Sequence, residues 1–359
     1  MQLAVWPALV RGRDYSFALV WGALLTIGLA LREPLPSFDV APYLSLTPFG
    51  SANAAPWPSL LADLDAAPRS LVFVRHEVGE PDDVFHRSTR EQPWAHGRFA
   101  APGNAVRRQV QVRTIAPRTA DELAGFFRQA AYSLGDIRQG EAVPPIRLEK
   151  IPSDLGNKDG NERKALFITA LLPVVLEVNQ RILSDREQLL YLRDKRAARP
   201  AGMTTIERIW LEELAERYDT PADDLDELLR RVDVVPPSMA IAQGGVESGW
   251  GTSPAARAAN SLYGQLQVVG RSATMPQPFA NLGEATAAYV TNLNTHRAYA
   301  AFRAARSALR ERGEPLDGYQ LIGSLLRYSE LGQDYVRFVR QIMRENDLSD
   351  FDKARLSIF

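Results

Sequence analysis

Helix start signals recur at short intervals from Asn161 to Glu345, and no other feature constrains the fold as tightly. Residues 163–192 carry apolar side chains at helical spacing, with Pro173 in the middle as the place for a kink. Thr204 and Glu207 form a capping box ahead of IERIWLEELAERY. Thr220-Pro221 followed by Asp223 marks another start, with a cap, a proline in the first turn and early acids. Asn281 and Glu284 open a helix that runs to about residue 293, and further helices fit 298–311, 317–326 and 334–345. Residues 266–279, with Gly270, Pro276 and Pro278, read as irregular. Helices of ordinary length in close succession predict a compact, mainly α domain over residues 151–350.

The chain ahead of it is organised differently. Residues 15–31 are an uncharged apolar run with Arg11 and Arg13 on one side and Arg32 on the other. The run is just long enough to span a bilayer. The small-residue site Ala52-Asn53-Ala54 lies too far downstream for a cleaved signal peptide, so an uncleaved anchor over residues 1–33 is expected. The basic residues before it would keep that side in the cytoplasm and export the rest to the periplasm, in a single pass of the inner membrane. Residues 34–69 are rich in Pro and Ala and read as a linker. Residues 70–150 alternate strand and helix signals, with Leu71-Val72-Phe73-Val74, the period-two stretch before Ile115, and Ile146-Arg147-Leu148. Thr119 with Glu122 caps a helix expected to reach residue 134. A small α+β region results, with no catalytic constellation of its own.

Composition removes several function classes. The net charge of -1 offers no basic stripe for nucleic acid. The absence of cysteine excludes disulfides, thiolate zinc sites and thiol catalysis. The four histidines, His76, His86, His96 and His296, form no two-ligand helical spacing, so neither a metal nor a cofactor is expected.

Chemistry concentrates in residues 236–264. Met239, Ile241, Ala242 and Val246 make the first part an apolar helix, with Ser238 and Gln243 as its polar side chains. Glu247 stands at the C-terminal end of that helix. Burial and the negative end of the helix dipole both favour its neutral form. A carboxylic acid that keeps its proton near neutral pH is what general acid catalysis requires. A glutamate pointing from a helix end into water is the plain alternative. Trp250 and Tyr263 are large flat side chains close in sequence to this acid, suited to a sugar cleft or to core packing. Gly249 and Gly251 read as backbone necessities.

VESGWGTSPAARAANSLYG resembles the signature of the bacterial N-acetylglucosaminidase domain of glycoside hydrolase family 73. RVDVVPPSMAIAQGGVESGWGTS, AYVTNLNTHRAYAAFRAARSALR and RKALFITALLPVVLEVNQ are similar to the Bax-type proteins of Gram-negative bacteria, over about residues 150–348. The resemblance implies a lysozyme-like helical catalytic domain, preceded here by the small α+β region and the transmembrane anchor. It implies cleavage of peptidoglycan glycan strands after N-acetylglucosamine, with Glu247 as general acid. Asn260 matches an asparagine of the family motif, and Arg327-Tyr328-Ser329 with Tyr335 resembles its C-terminal tyrosine element. Substrate contacts are therefore expected at Trp250, Asn260, Tyr263 and Tyr328, with Tyr335 the more structural of the two tyrosines. Most glycosidases use a second carboxylate. Residues 265–283 contain none, and the first acid after them is Glu284, either a second catalytic group or a helix cap. Three chemistries stay open: a hydrolase assisted by the substrate's N-acetyl group, a lytic transglycosylase leaving anhydro-muramoyl ends, and a weakly active wall-binding scaffold.

Overall fold

The computed structural model describes residues 112–199, 202–269 and 273–357. The expected anchor, the linker and the strand at 71–74 lie outside the described residues. Strand β1 (Arg113–Ile115) pairs in parallel with β2 (Ile146–Leu148), setting Arg113 opposite Ile146 and Ile115 opposite Leu148. Between them run α1 (Ala120–Gln129) and α2 (Leu134–Arg138). Thr119 caps α1 as its sequence requires, through a bond from Glu122 N. The helix expected to reach residue 134 nevertheless stops earlier. Ala131 turns left-handed (φ 47°), and Ser133 caps a new helix. The break lets Tyr132 fold back edge-on to Phe127, with ring centroids 5.5 Å apart.

The axis of the domain is α3 (Gly160–Ala198), which continues through Pro173. Asp159 caps it by accepting from the amides of Asn161 and Glu162, both at 2.9 Å. From Leu166 to Asn179 every residue of α3 is buried, so this part is enclosed on all sides. Its length and composition would suit a membrane span, but 78% of its apolar window is buried inside the protein, which makes it a core helix. Beyond Ile182 only one side is covered. There α3 pairs antiparallel with α4 (Thr205–Arg217), held by Arg217–Asp185 at 2.8 Å and by Lys195 with the buried Glu207 at 2.8 Å. Glu207 also completes the expected capping box with Thr204.

Helix α5 (Leu225–Arg231) starts later than Thr220 suggests. Asp224 is its cap, while the Thr220 amide closes the end of α4 on Ala215 O. The Asp233-Val234-Val235 link is then pinned from three helices. Asn179 of α3 bonds Val235 in both directions, at 2.8 and 3.2 Å. Helix α6 (Pro237–Ser248) and helix α7 (Pro254–Ala259) follow. Residues 266–279 are less irregular than expected, since β3 (Leu266–Val269) and β4 (Ala273–Pro276) form a two-stranded sheet. Helix α8 (Leu282–Thr295) contributes Asn294, whose amide donates to Asp233 O at 2.9 Å. After a 3-10 turn (Arg297–Tyr299), α9 (Ala300–Glu311) supplies Arg306 and Arg310. Arg306 is fully buried and donates to the carbonyls of Asp233 and Val234, while Arg310 grips both oxygens of the buried Asp233 carboxylate.

Helix α10 (Gly318–Leu321) and a 3-10 turn (Ile322–Ser324) occupy part of the span expected as one helix over 317–326. Helix α11 (Gln333–Glu345) and a 3-10 segment (Leu348–Lys353) complete the fold. The last segment is a strap. Leu348 and Phe351 are buried, and Leu356 bridges to Val143 beside β2. Asp352 accepts from the amides of Ser238 and Gly318 and from the Ser238 hydroxyl, at 2.8 to 2.9 Å. It therefore caps α6 and α10 at once. One continuous core joins the strand region, α3 and the later helices.

Candidate active site

Every side chain of α6 except those of Val246 and Glu247 is buried. Gly244 and Gly245 allow this close packing. A Cβ on Gly244 would stand 3.2 Å from both Leu171 and Tyr263, and one on Gly245 would stand 2.9 Å from the Trp250 ring. The helix ends in three consecutive left-handed residues, Gly249 (φ 57°), Trp250 (φ 56°) and Gly251 (φ 83°). Such a turn costs little at glycine and of order 1–2 kcal/mol at a bulky residue. Two bonds hold it, from Trp250 N to Gly245 O and from Gly251 N to the Ser248 hydroxyl, both at 2.8 Å. The turn folds Trp250 back over α6, edge-on to Phe167 at 5.7 Å.

Glu247 is thereby left half-buried on the last turn of α6. Its Oε1 accepts a bond from the Tyr335 hydroxyl at 3.0 Å. Among the described residues no partner is found for Oε2. Burial pushes the Glu247 carboxyl up from its ordinary value to about 8, and the Tyr335 bond pulls it partly back. The group loses solvation while the residue keeps some exposure to solvent, and this favours the protonated form.

Behind the acid lies a stack of tyrosines. Tyr263 lies flat on Tyr289 at 4.1 Å, and Tyr328 lies on Tyr335 at 5.5 Å. Tyr328 also meets Tyr289 and Tyr299 at 6.4 and 5.9 Å. Burial pushes the phenols of Tyr289, Tyr328 and Tyr335 well above their ordinary value, and the nearby Glu247 adds to each shift. They stay neutral throughout the range in which Glu247 titrates.

Several residues expected to touch substrate are packed into the core. Trp250 is 8% exposed and packs on α6 and Phe167. Asn260 is the left-handed C-cap of α7, and its amide holds Phe279 O at 3.0 Å. Tyr263 is fully buried with its hydroxyl against Thr286. Tyr328 is buried as well, and its hydroxyl donates to Tyr263 O at 3.0 Å. All four side chains are buried, each with a partner inside the core. The two C-terminal tyrosines also trade places relative to expectation, since Tyr335 reaches Glu247. Glu284 sits in a cap: it accepts from Ala280 N and Asn281 Nδ2, and its amide donates to Asn281 Oδ1 at 3.0 Å. Sequence reasoning passed over Gln243, which links Tyr289 to Tyr335. Its signal was available, as one of two polar side chains on an otherwise apolar stretch of helix, one turn before the acid. No group of acids and histidines among the described residues could hold a metal ion.

The residues that build this site coincide with a region of known likeness. The family described as mannosyl-glycoprotein endo-beta-N-acetylglucosaminidase matches residues 222–348, from just before α5 past the end of α11. The chain is 33% identical over 220 residues to Protein bax of Escherichia coli (strain K12), across 58% of this chain and 76% of that protein. No solved structure matches it. With its acid, its glycine-bounded turn and its tyrosine stack inside the matched region, the chain belongs to the Bax-type proteins and carries a glucosaminidase domain.

Proposed function

We propose that this protein hydrolyses the glycan strands of peptidoglycan at the bond following N-acetylglucosamine, with Glu247 as the general acid. The observation that carries the reading is the placing of Glu247: a half-buried carboxyl whose burial pushes its pKa up to about 8, with Tyr335 on Oε1 and no partner on Oε2 among the described residues. In the reaction the Oε2 proton passes to the glycosidic oxygen as the C1–O bond breaks, and the sugar takes on oxocarbenium character. Glu284 is occupied as a helix cap, so the group opposite the acid is assigned to the substrate's own acetamido oxygen. That oxygen bonds to C1 as the leaving group departs, and water, giving its proton to the Glu247 carboxylate, then opens the cyclic intermediate and leaves a reducing end. The apolar run at 15–31 supports an inner-membrane anchor with the domain in the periplasm.

Purified sacculi incubated with the protein and analysed by mass spectrometry test the proposal. Reducing N-acetylglucosamine ends are expected. Anhydro-muramoyl ends would replace hydrolysis with intramolecular transfer, and no soluble product over a range of pH would leave a wall-binding protein. Glu247→Gln should lose on the order of a hundredfold or more in kcat, the usual scale of general acid catalysis. Full activity in that variant would remove Glu247 from the role.

A further inference from the structure

A directed string of hydrogen bonds reaches Glu247 from behind. The Tyr289 hydroxyl of α8 donates to Gln243 Oε1 at 2.7 Å, Gln243 Nε2 donates to the Tyr335 oxygen at 3.0 Å, and Tyr335 donates to Glu247 Oε1 at 3.0 Å. Tyr289, Gln243 and Tyr335 are all buried, with exposures of 1% or less. We infer that Tyr289 and Gln243 are positioning residues for the acid: they fix the direction of the string, so that Oε1 of Glu247 accepts and its proton is carried on Oε2. The inference rests on the general-acid reading and adds to it which oxygen delivers the proton and what selects it.

The selection follows from counting donors and acceptors. A carboxamide can be turned end for end with almost no change in shape. Turned, Gln243 would present Nε2 to Tyr289 and Oε1 to Tyr335. Tyr335 would then donate to Gln243, and its oxygen would accept from a proton on Oε1 of Glu247. The acid's proton would be held inward, away from any leaving group. That arrangement leaves the buried Tyr289 hydroxyl proton without an acceptor, a heavy penalty in a desolvated site. Tyr289 can make its bond only when Gln243 faces it with oxygen. A phenol two partners away therefore determines where the catalytic proton sits.

The groups facing Glu247 do not blur this logic. Tyr289 of α8, Tyr299 of the 3-10 turn, Tyr335 of α11, and Tyr328 in the turn before α11 all sense the Glu247 charge, and all are phenols that burial keeps neutral. A shift in titration near neutral pH at this site belongs to Glu247.

The test uses the full chain labelled with ¹³C at glutamate carboxyls, so that the Glu247 titration is read by NMR without reference to activity. Tyr289→Phe frees the amide to turn and gives protonated Glu247 an acceptor. Gln243→Met removes the N–H on the Tyr335 oxygen and weakens Tyr335 as a donor. Both should move the Glu247 titration to higher pH and lower kcat on solubilised glycan strands by about tenfold with KM unchanged. Thr286→Val, which removes a buried hydroxyl beside Tyr263 in the same aromatic stack, should move neither. If Tyr289→Phe leaves both the titration and kcat at wild-type values while Glu247→Gln is inactive, the relay is wrong and the acid stands. If wild type releases no product, the titration alone decides: a shift supports the relay and its absence overturns it. Should Gln243→Met fail to fold, Tyr289→Phe, which loses a single oxygen, is sufficient.

Discussion

Replacing Glu247 with glutamine should stabilise the protein, by an amount that grows as pH rises from about 4.5 to about 8. The native carboxyl titrates at about 8 against an ordinary value of 4.5. Between those limits the folded chain holds a proton that the unfolded chain has released, so native stability falls as pH rises through this window and levels off above 8. The gap sets an upper limit of about 5 kcal/mol. Half-burial admits some water to the carboxyl, and discounting for that screening leaves about 2–3 kcal/mol. Glutamine is neutral at every pH, and its carbonyl can accept from Tyr335 as Oε1 does. At pH 4, where the acid is protonated in both states, variant and wild type should melt together. At pH 9 the variant should melt about 5–10 °C higher, given the usual response of a domain of this size. Thermal unfolding followed by circular dichroism at the two pH values makes the measurement. A difference independent of pH, or a variant less stable at pH 9, would show that the carboxyl is not desolvated in the folded state. The general-acid assignment would then lose its physical basis.

Two further outcomes concern the scaffold. Asp352→Asn retains one acceptor where the carboxylate serves two amides and a hydroxyl, so at least one buried donor loses its partner; urea unfolding should show a loss of about 1–3 kcal/mol. Gly251→Ala should destabilise more than Gly249→Ala, because both suffer left-handed strain of about 1–2 kcal/mol but only at Gly251 would the added Cβ meet Ile151, at 2.7 Å. The midpoints of the two variants against wild type check the order.

Much of the helical frame could be read from sequence because caps are local. Thr119, Thr204 and Asn281 each accept from an amide three residues on, and a capping motif encodes that contact within four positions. Where local signals competed, tertiary structure chose between them. Thr220 and Asp224 both qualify as caps; Asp224 takes the role, and the Thr220 amide closes α4. The break at Ala131 carries no Gly or Pro to announce it, and packing of Tyr132 onto Phe127 supplies the reason. Strands β3 and β4 are four residues each, with Pro276 ending one of them, too short for a period-two pattern to register. Within the site, Glu247 and the glycines of its turn were legible from one stretch of chain. The division of labour between Tyr328 and Tyr335 was not. It depends on which ring lies nearer a carboxyl 88 residues upstream, and no local period encodes that.

The strap that ends in the Val143 bridge bears on when the site comes into being. Helix α6 and the turn that follows it hold the acid and Gln243 within a short stretch of chain. What makes its glutamate a guarded acid arrives later in the chain. Tyr335 lies 88 residues beyond Glu247, and Asp352 lies 114 beyond Ser238. Closing loops of that length is slow compared with forming a helix. During synthesis the chain therefore emerges with its acid exposed, ionised and undirected. The proton is retained, and its direction set, only when the last elements dock against the start and end of α6.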